Sequence, residues 1–374
     1  MQEVRGSIPL TSTRSFKAPE GAFPFSARSY MERKKILLVR TDRLGDVTLT
    51  TPAVAALRAA EPRAEIRFLT SAYARGVLEN NPALDGIITD ENFFATLREL
   101  RRGRFDAAVI FFLNFRVALL ALLAGIPLRV GPASKVWALL LNRRIRQRRS
   151  SVAKHEADYN LDLLAPLGVR PEPAAASIAL TAPEKEAAAR TLAALGLGPG
   201  DFIIGMHPGS SGSALNWPPG NFAALARSLL RNYDAKVLFT GSPAEARLLE
   251  RVAAEVPEKT FVLREPLPLR HFIALIARCG LFVTNSTGPL HLAAAQGVAT
   301  LSFFPPIKVC SPVRWGPYGG GLNRVLVPQG PACAACAGGK CPRYSCMAEI
   351  TPEAAFREAA ALLAALGRRQ KAAA

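Results

Sequence analysis

Short runs of consecutive apolar residues alternate with segments of helical periodicity along most of this chain. Apolar runs without polar alternation are typical of strands that are buried on both faces of a parallel sheet. The alternation of strands and helices predicts an α/β protein with doubly wound sheets. The predicted strands cover residues 36–40, 65–69, 86–88, 107–112, 128–130, 202–206, 236–240, 260–263, 281–283 and 299–304.

The chain divides into two halves at residues 168–199, a stretch rich in proline, alanine and glycine. We therefore expect one Rossmann-like domain at residues 34–180, a second at 181–366 and a frayed tail at 367–374. Residues 1–33 are rich in Ser, Pro, Gly and Arg without a period, which predicts a disordered tail and makes Met31 an alternative start. The predicted helices cover residues 48–60, 92–101, 155–167, 183–195, 221–231, 269–278 and 352–366.

A polar turn joins a predicted strand to a helix at residues 284–291, TNSTGPLH. Ser286 and Thr287 place hydroxyl groups at the helix start, and Gly288 lets a ligand approach the backbone. Pro289 suits the first helical turn, where its missing N–H costs nothing. Free N–H groups and the helix dipole favour an anion at such a turn, so we expect a phosphate there.

A second glycine turn, TDRLGD at residues 41–46, follows the first predicted strand and leads into a helix. It places a carboxylate, Asp46, at the junction of strand and helix. Ligands of open α/β sheets bind beyond the carboxyl ends of the strands. Two Rossmann-like halves that face each other across a cleft would account for both turns.

Composition changes this interpretation mainly through charge. The chain has 374 residues and a formal net charge of +18, which indicates an anionic partner, although a generally basic proteome explains the charge as well. Aromatic residues make up 7% of the chain and no nucleic-acid-binding module is visible, so no nucleic acid partner is expected. The arginines at residues 143–149 are typical either of contact with an anionic membrane surface or of a solvated face.

The most apolar stretch, residues 107–127, does not predict a membrane span. Asn114 and Arg116 interrupt it, so it is interpreted as a strand followed by a buried helix. No secretory signal is visible, and the expected location is cytoplasmic.

Four motifs in order resemble the family 9 glycosyltransferases, which include the ADP-heptose:lipopolysaccharide heptosyltransferases. They are RTDRLGDV at residues 40–47, HPG…NWP at 207–218, STGPLH at 286–291 and RWGPY at 314–318. The likeness covers about residues 34–366. It implies a GT-B fold, with the donor nucleotide on the C-terminal domain and the acceptor on the N-terminal domain.

The resemblance identifies Asp46 with the catalytic carboxylate of the family. An inverting transfer needs a base beside the acceptor hydroxyl, on the face opposite the leaving nucleotide. Asp42 is a rival base, and a helix N-cap is the plain alternative for Asp46. The acceptor side is expected to include Arg43, Asp42 and His155.

The donor side is expected first at the second glycine turn. Ser286, Thr287 and Gly288 match the diphosphate-binding turn of the family, which frequently has Asp where this chain has Ser286. His291 matches a family histidine that either contacts phosphate or sugar or packs the helix.

Two further loops complete the expected donor side. Ser210, Ser211 and Asn216 match a phosphate-contacting loop, in which Leu215 stands where the family often has a cation. Glu245 matches an acidic position that receives ribose hydroxyls, or it is a solvated loop glutamate.

Four of the six cysteines cluster near the C-terminal end of the resemblance. Their spacing permits a four-thiolate zinc site, whereas reduced thiols or a structural knot are the plain alternatives. The family often carries a similar run without an established metal role, so neither a metal nor a cofactor is expected. The four residues are Cys333, Cys336, Cys341 and Cys346.

The resemblance implies inverting transfer of a heptose or related sugar from a nucleotide diphosphate donor, with ADP-heptose as the expected donor. The expected acceptor is a lipopolysaccharide core or another lipid-linked anionic glycan at the cytoplasmic surface of the inner membrane. A catalytically weak nucleotide-sugar-binding paralogue is the alternative, supported by Leu215 and Ser286. A dinucleotide-dependent oxidoreductase fits less well, because no G-x-G-x-x-G follows the first strand.

Overall fold

The computed structural model describes residues 34–172, 174–210, 212, 214–256, 259–330, 333–334, 336–337, 341 and 346–371. The disordered tail predicted at residues 1–33 lies outside the described residues, as do residues 372–374 and Ser211.

Two six-stranded parallel sheets form the framework of the described chain. The strand order of the first sheet is β3-β2-β1-β4-β5-β6. The strand order of the second sheet, read in the equivalent direction, is β9-β8-β7-β10-β11-β12. Both are the order of a doubly wound Rossmann sheet, so each has a switch point, between β1 and β4 and between β7 and β10. The strands are β1 (Lys35–Val39), β2 (Glu65–Thr70), β3 (Gly86–Thr89), β4 (Ala107–Ile110), β5 (Leu128–Pro132), β6 (Arg143–Ile145), β7 (Ile203–His207), β8 (Lys236–Phe239), β9 (Thr260–Val262), β10 (Leu281–Asn285), β11 (Ala299–Phe303) and β12 (Asn323–Leu326).

Helices connect the strands and cover the sheets. They are α1 (Leu44–Thr48), α2 (Thr51–Ala60), α3 (Arg75–Leu78), α4 (Phe93–Gly103), α5 (Phe115–Leu123), α6 (Glu156–Asp162), α7 (Ala182–Ala194), α8 (Pro219–Asn232), α9 (Ala246–Ala254), α10 (Leu269–Ile276), α11 (Gly288–Ala295), α12 (Pro312–Trp315) and α13 (Pro352–Ala365). None of the helices in the described part of the chain combines the length and the apolar character that a membrane span requires.

The helix predicted at residues 48–60 is two helices, α1 and α2. Pro52 has no N–H to donate to the carbonyl of Thr48, so the helical hydrogen bonds cannot continue through this point. The hydroxyl of Thr51 donates to that carbonyl instead, at 2.9 Å. The break ends the helix that carries Asp46 after little more than one turn.

The predicted frayed tail is packed over residues 367–371. The backbone N–H of Lys371 donates to the carbonyl of Asn232 at 2.8 Å. The guanidinium of Arg368 lies 4.5 Å from the ring centroid of Phe202. Contact with α8 and with the start of the second sheet therefore holds this end in place.

The two halves share a core. The largest buried apolar cluster contains side chains of α1, such as Leu44 and Val47, together with Ile273 and Leu292 of the second half. A buried arginine on α10, Arg270, also joins the halves: it donates to the carbonyl of Gly76 on α3 at 2.9 Å and pairs with Glu184 of α7 at 2.6 Å. The connection between the domains is therefore packed against both of them.

Candidate active site

The two glycine turns identified in the sequence meet each other. A methyl group at Gly45 would lie 2.5 Å from Cδ2 of His291, and one at Gly288 would lie 3.4 Å from Cδ2 of Leu44. Real Cβ atoms do not approach other atoms as closely as the first distance, so the contact of α1 with α11 depends on glycine at position 45. The switch points of the two sheets are thereby brought together.

Arg40 lies at the centre of the first turn. It directly follows β1, its side chain is 2% exposed, and it contacts three carboxylates at once. Its guanidinium donates to Asp42 at 2.9 and 3.1 Å, to Asp46 at 2.6 Å and to Glu156 at 3.2 Å. Asn160 accepts a further bond from it at 2.9 Å. Arg40 is therefore the cation that lets these carboxylates lie side by side.

Asp46 has the environment of a general base. Burial raises the pKa of its carboxyl, Arg40 opposes that rise, and the neighbouring charges of Asp42 and Glu156 add to it, which gives a pKa of about 6. A base with a pKa near the working pH is the most effective in proton transfer. The interpretation of Asp46 as a helix N-cap is wrong, because Arg43 is the N-cap residue of α1 and the Asp46 side chain accepts from Arg40.

Glu156 was not predicted as a site residue, although it is buried at the centre of the cluster. Its side chain is 0% exposed and pairs with Arg40, with Arg149 and, at 2.9 Å, with Arg314 of the second half. Burial alone would raise the pKa of this carboxyl, but the three guanidinium groups hold it below its usual range. Glu156 therefore joins the Asp46 environment to the RWGPY segment across the two halves.

His155 lies at the same junction rather than facing an open acceptor site. Its Nδ1 accepts from the N–H of Ala157 at 3.1 Å and so caps α6, and its Nε2 lies 2.9 Å from the carbonyl of Gly316. Burial lowers its pKa, which favours the neutral ring that these two bonds require. The neighbouring Tyr318 hydroxyl donates to Asp158 at 2.8 Å. Both ring nitrogens of His155 are thus engaged within the protein.

Of the other expected acceptor-side residues, Asp42 is turned toward Arg40 and Arg43 is exposed. Arg43 is the N-cap residue of α1 and its charge acts on Asp46, where it lowers the pKa. Asp42 and Arg43 therefore both lie beside the candidate base.

The second turn has the form predicted for an anion site. Thr287 is the N-cap residue of α11 in extended conformation, and its side chain makes no cap hydrogen bond. The N–H of Ser286 donates to the carbonyl of Phe303 at 3.0 Å, which fixes the turn to β11. Gly288 starts α11, so the first N–H groups of the helix lie beside the turn. These groups carry the partial positive charge of the helix dipole.

His291 is buried on α11, beside the first glycine turn. Burial lowers its pKa to about 3, so the ring is neutral at physiological pH. Its Nδ1 is one of the buried side-chain atoms that have no hydrogen-bond partner among the described residues. The ring edge that faces the first glycine turn carries Cδ2 and Nε2, so Nδ1 lies on the far edge of the ring from this turn.

The HPG…NWP loop is held against the second sheet by Asn285, which the sequence did not single out. The side-chain oxygen of Asn285 accepts from the N–H of Trp217 at 2.8 Å, and its amide donates to the carbonyl of Pro208 at 2.7 Å. Trp217 stacks on Phe303 with ring centroids 4.0 Å apart. The two ends of the loop are therefore fixed beside the turn at Ser286.

Within this loop the predicted residues differ in exposure. Ser210 is buried and its hydroxyl donates to the carbonyl of Ala214 at 3.1 Å, so it shapes the loop. Asn216 is exposed, whereas Leu215 packs against the core of the second domain. The cation that the family often has at position 215 is thus replaced by an apolar core contact.

Glu245 is not a solvated loop glutamate. Its Oε2 accepts from the N–H and the hydroxyl of Ser242, both at 2.8 Å, in a capping box. Its carboxylate lies over Gly209, where any Cβ would come within 2.0 Å of it, and 3.9 Å from Nε2 of His207. Glu245 therefore supports the start of the HPG loop from the turn that follows β8.

The described part of the chain does not bring the four clustered cysteines together as a group of metal ligands. Among the described residues there is no group of three or more His, Cys, Asp or Glu side chains that could hold a metal ion. Cys346 is buried and Cys336 is exposed. The backbone of Cys333 instead pairs with Ile307 in an isolated bridge.

Comparison with known proteins assigns this arrangement to a family. The model of glycosyltransferase family 9 (heptosyltransferase) matches residues 93–365. A Haemophilus influenzae protein described as a glycosyltransferase is 33% identical over 300 residues, which are 76% of this chain and 86% of that protein. Lipopolysaccharide heptosyltransferase 2 of Escherichia coli K12 is 26% identical over 301 residues, which are 73% and 86% of the two chains.

Solved structures show the same fold. A family 9 glycosyl transferase of Veillonella parvula superposes with a TM-score of 0.76 at 25% identity, covering 89% of this chain and 97% of that one. The ADP-heptose lipopolysaccharide heptosyltransferase II of E. coli gives a TM-score of 0.75 at 24% identity, covering 89% and 99%. The fold is therefore GT-B, as the resemblance implied, and the oxidoreductase alternative is wrong. The chain belongs to glycosyltransferase family 9, the heptosyltransferase family.

Proposed function

We propose that this glycosyltransferase is an inverting enzyme that transfers a heptose from ADP-heptose to a hydroxyl of a lipopolysaccharide core or a similar lipid-linked glycan. The observation that carries the proposal is the position of Asp46. Asp46, whose carboxyl has a pKa of about 6, lies in the first glycine turn, which meets the helix start that is suited to a diphosphate. A base and an anion site on opposite sides of one junction are the arrangement that an inverting transfer requires.

In the proposed reaction Asp46 accepts the proton of the acceptor hydroxyl as its oxygen attacks the anomeric carbon. The new C–O bond forms on the face opposite the diphosphate, while the bond from the anomeric carbon to the diphosphate oxygen breaks. The electron pair of that bond leaves with ADP. Arg40 keeps Asp46 in place and, with Arg43, keeps its pKa from rising further.

The diphosphate is proposed to lie on the turn of Ser286, Thr287 and Gly288, where the N–H groups of α11 stabilise the leaving charge. We propose a hydrogen bond between the nucleotide sugar and Nδ1 of His291, which has no partner among the described residues. The HPG loop is proposed to close the donor side through Ser210, Ser211 and Asn216. Glu245 is proposed to hold this loop near the ribose.

The choice of ADP-heptose as donor is supported by the activities of similar proteins. Lipopolysaccharide heptosyltransferase 2 of E. coli and the ADP-heptose enzyme of the same species align over most of this chain. Their acceptor class suggests a lipid-linked anionic glycan, so the proposed location is the cytoplasmic surface of the inner membrane. The basic balance of the chain, +18, suits such an acceptor.

A donor panel tests this proposal. The protein is incubated with ADP-heptose and with other nucleotide sugars, each with and without a deacylated lipopolysaccharide-core acceptor, and released nucleotide is measured. We expect ADP release only with ADP-heptose and acceptor together. Release with another nucleotide sugar would contradict the proposed donor, and donor binding without turnover would favour the catalytically weak paralogue that Leu215 and Ser286 suggest.

Calorimetry on a variant of the anion turn tests the donor side separately. We expect Thr287→Val to weaken ADP binding several-fold, because the variant removes a hydroxyl at the helix start that is not used as a cap. Thr191→Val on α7 is the matched control, since that hydroxyl bonds only within its own helix. Equal affinity of Thr287→Val and wild type would place the diphosphate elsewhere.

A further inference from the structure

Large apolar side chains are exposed along one rim of the first sheet. Tyr73 follows β2, Phe94 follows β3 and Phe115 follows β4, while a 3₁₀ turn, Val136–Leu140, follows β5. Because the strands are parallel, their carboxyl ends share one edge, and Asp46 follows β1 at this same edge. We call the exposed set the apolar rim; its members are Tyr73, Phe94, Phe115, Val136, Trp137 and Leu139.

The 3₁₀ turn is the most prominent part of the apolar rim. Val136 is 65% exposed and Leu139 71% exposed, whereas Ala138 between them is buried and anchors the turn. Trp137 rests against Phe115 with ring centroids 4.9 Å apart. Contiguous exposed apolar side chains of this kind mark a surface that binds another phase or molecule.

Cations lie beside the turn. Lys135, Arg144 and Arg146 line a cavity of about 640 Å³ together with Val136 and Leu139, and the described residues that line it include no carboxylate. Exposed arginines on β6 and directly after it also protect a sheet edge, which is their plain explanation. That explanation does not account for the apolar side chains next to them.

Negative charge on the apolar rim is limited. Glu91 is exposed near Phe94, whereas Asp90 is paired with Arg116 at 2.7 Å. Glu91 lies beyond β3, on the opposite side of β1 from the 3₁₀ turn and the β6 cations. The part of the apolar rim around the turn is therefore both apolar and cationic.

We propose that the turn Val136–Leu140 docks this protein on an anionic lipid bilayer. Val136, Trp137 and Leu139 enter the boundary of head groups and acyl chains, and Lys135, Arg144 and Arg146 contact lipid phosphates. An apolar and an electrostatic contribution together give stable but reversible binding at an interface. This inference rests on the proposed function. Docking through the turn would direct the sheet edge that carries Asp46 toward the membrane, where the sugars of a lipid-linked acceptor lie.

Vesicle sedimentation of the full chain tests the docking surface without donor or acceptor. We expect binding to vesicles of phosphatidylglycerol and phosphatidylcholine that weakens with salt, and much weaker binding to phosphatidylcholine alone. Val136→Ser/Leu139→Ser should lose at least about tenfold in affinity, given the contribution of buried apolar groups. Arg144→Gln/Arg146→Gln should lose about fivefold per removed charge.

Matched controls lie at the C-terminal ends of α4 and α5, whose N-terminal ends carry Phe94 and Phe115. Leu122 and Leu123 are exposed at the end of α5, and Arg102 and Arg104 at the end of α4, away from the apolar rim. Leu122→Ser/Leu123→Ser and Arg102→Gln/Arg104→Gln should bind vesicles as the wild type does. Melting temperatures of all variants separate lost docking from lost folding.

Tryptophan fluorescence reports the depth of insertion. The chain has three tryptophans, of which Trp217 is fully buried. Vesicles with brominated acyl chains should quench the wild type and should quench Trp137→Phe much less. Equal quenching of the two proteins would contradict insertion of the turn.

Two further outcomes would overturn the proposal and leave the proposed function intact. In one, the vesicles fail to bind while the protein turns over a deacylated acceptor normally. In the other, Val136→Ser/Leu139→Ser abolishes a dimer and not vesicle binding, which would make the turn a contact between copies of the chain. Vesicle binding of a protein with no turnover on any nucleotide sugar would instead contradict the proposed function alone.

Discussion

At the residue scale, Arg40 determines how the candidate base behaves. Three carboxylates lie within 3.2 Å of one buried guanidinium, which offsets their mutual repulsion together with the pairs that Arg149 and Arg314 form with Glu156. The same cluster leaves Asp46 with a pKa of about 6, since burial raises it more than Arg40 lowers it. A carboxylate of this kind changes protonation within the range in which enzymes are assayed.

The pH dependence of turnover follows from this pKa. We expect kcat/KM to rise with pH up to about 6 and to level off above it, because the base acts only when deprotonated. The charge of Asp42 raises the pKa of Asp46, so Asp42→Asn should move the rising limb to lower pH. Glu91→Gln, at an exposed position, serves as the control. A limb that stays in place, or moves to higher pH, would contradict the assignment of the limb to Asp46.

Loss of the Glu156 charge should destabilise the protein. Glu156→Gln leaves three guanidinium groups with one fewer buried counter-ion, which costs about 3–5 kcal/mol in comparable cases. Since the pKa of Glu156 is lowered in the folded state, its contribution is present above pH 4.5 and is lost as pH falls through the lowered value. Urea unfolding at pH 7 and in acid measures the difference, with Glu186→Gln on the exposed face of α7 as control. If Glu156→Gln lowers the free energy of unfolding no more at pH 7 than in acid, the result would contradict the stabilising role of the Glu156 charge.

Asp46, Asp42 and Arg43 could be predicted from the sequence, but the contact of Arg40 with Glu156 could not. Asp46 was identifiable because it stands in a glycine turn that matches a family motif. Arg40 and Glu156 are 116 positions apart, and nothing in a single sequence pairs them. Asn285 escaped notice for the same reason, because the loop that it holds lies 68 positions away.

At the element scale, the decisive contact is that of α1 with α11. Each helix starts at a glycine turn beyond a parallel strand, and the close approach of Gly45 to His291 brings the candidate base and the proposed anion turn together. Central strands were predicted within one or two residues, because they are continuous apolar runs. The edge strands β6 and β12 were missed, because each is short and begins with a polar or charged pair.

The close approach makes a glycine variant informative. Gly45→Ala would place a methyl group 2.5 Å from the buried ring of His291, and overpacking of this kind costs typically about 1–3 kcal/mol. Gly220→Ala, where a Cβ meets nothing within 4 Å, should be neutral. Chemical denaturation measures both. Equal stability of Gly45→Ala and the wild type would show that α1 and α11 do not pack in this way.

At the scale of the whole molecule, two similar sheets are joined by more than a linker. The shared apolar cluster, the Arg270 contacts and the bonds from Glu156, Asp158 and His155 to the 314–318 segment all cross between the halves. The repeated architecture could be predicted from the sequence, since strand and helix patterns recur in order. The contacts between the halves could not be predicted, because they are made by single residues from distant segments.

Such contacts between the halves should make unfolding cooperative. We expect one calorimetric transition for the full chain, since separating the halves would expose the shared cluster and uncouple a buried ion pair. Arg314→Gln should lower the melting temperature without splitting the transition. Two resolved transitions in the wild type would mean that the halves are stable independently and that these contacts contribute little.

Turnover by Asp46→Asn with ADP-heptose and a deacylated core acceptor is the most direct test of the proposed mechanism. We expect turnover to fall by about 100-fold to 10,000-fold, the usual contribution of a positioned base. ADP binding and the melting temperature should be preserved, because burial disfavours the charged form of Asp46 and a neutral side chain suits that site. Asp42→Asn, its neighbour on Arg40, should keep most of its activity. Turnover of Asp46→Asn close to that of the wild type would contradict the assignment of the base and with it the proposed mechanism.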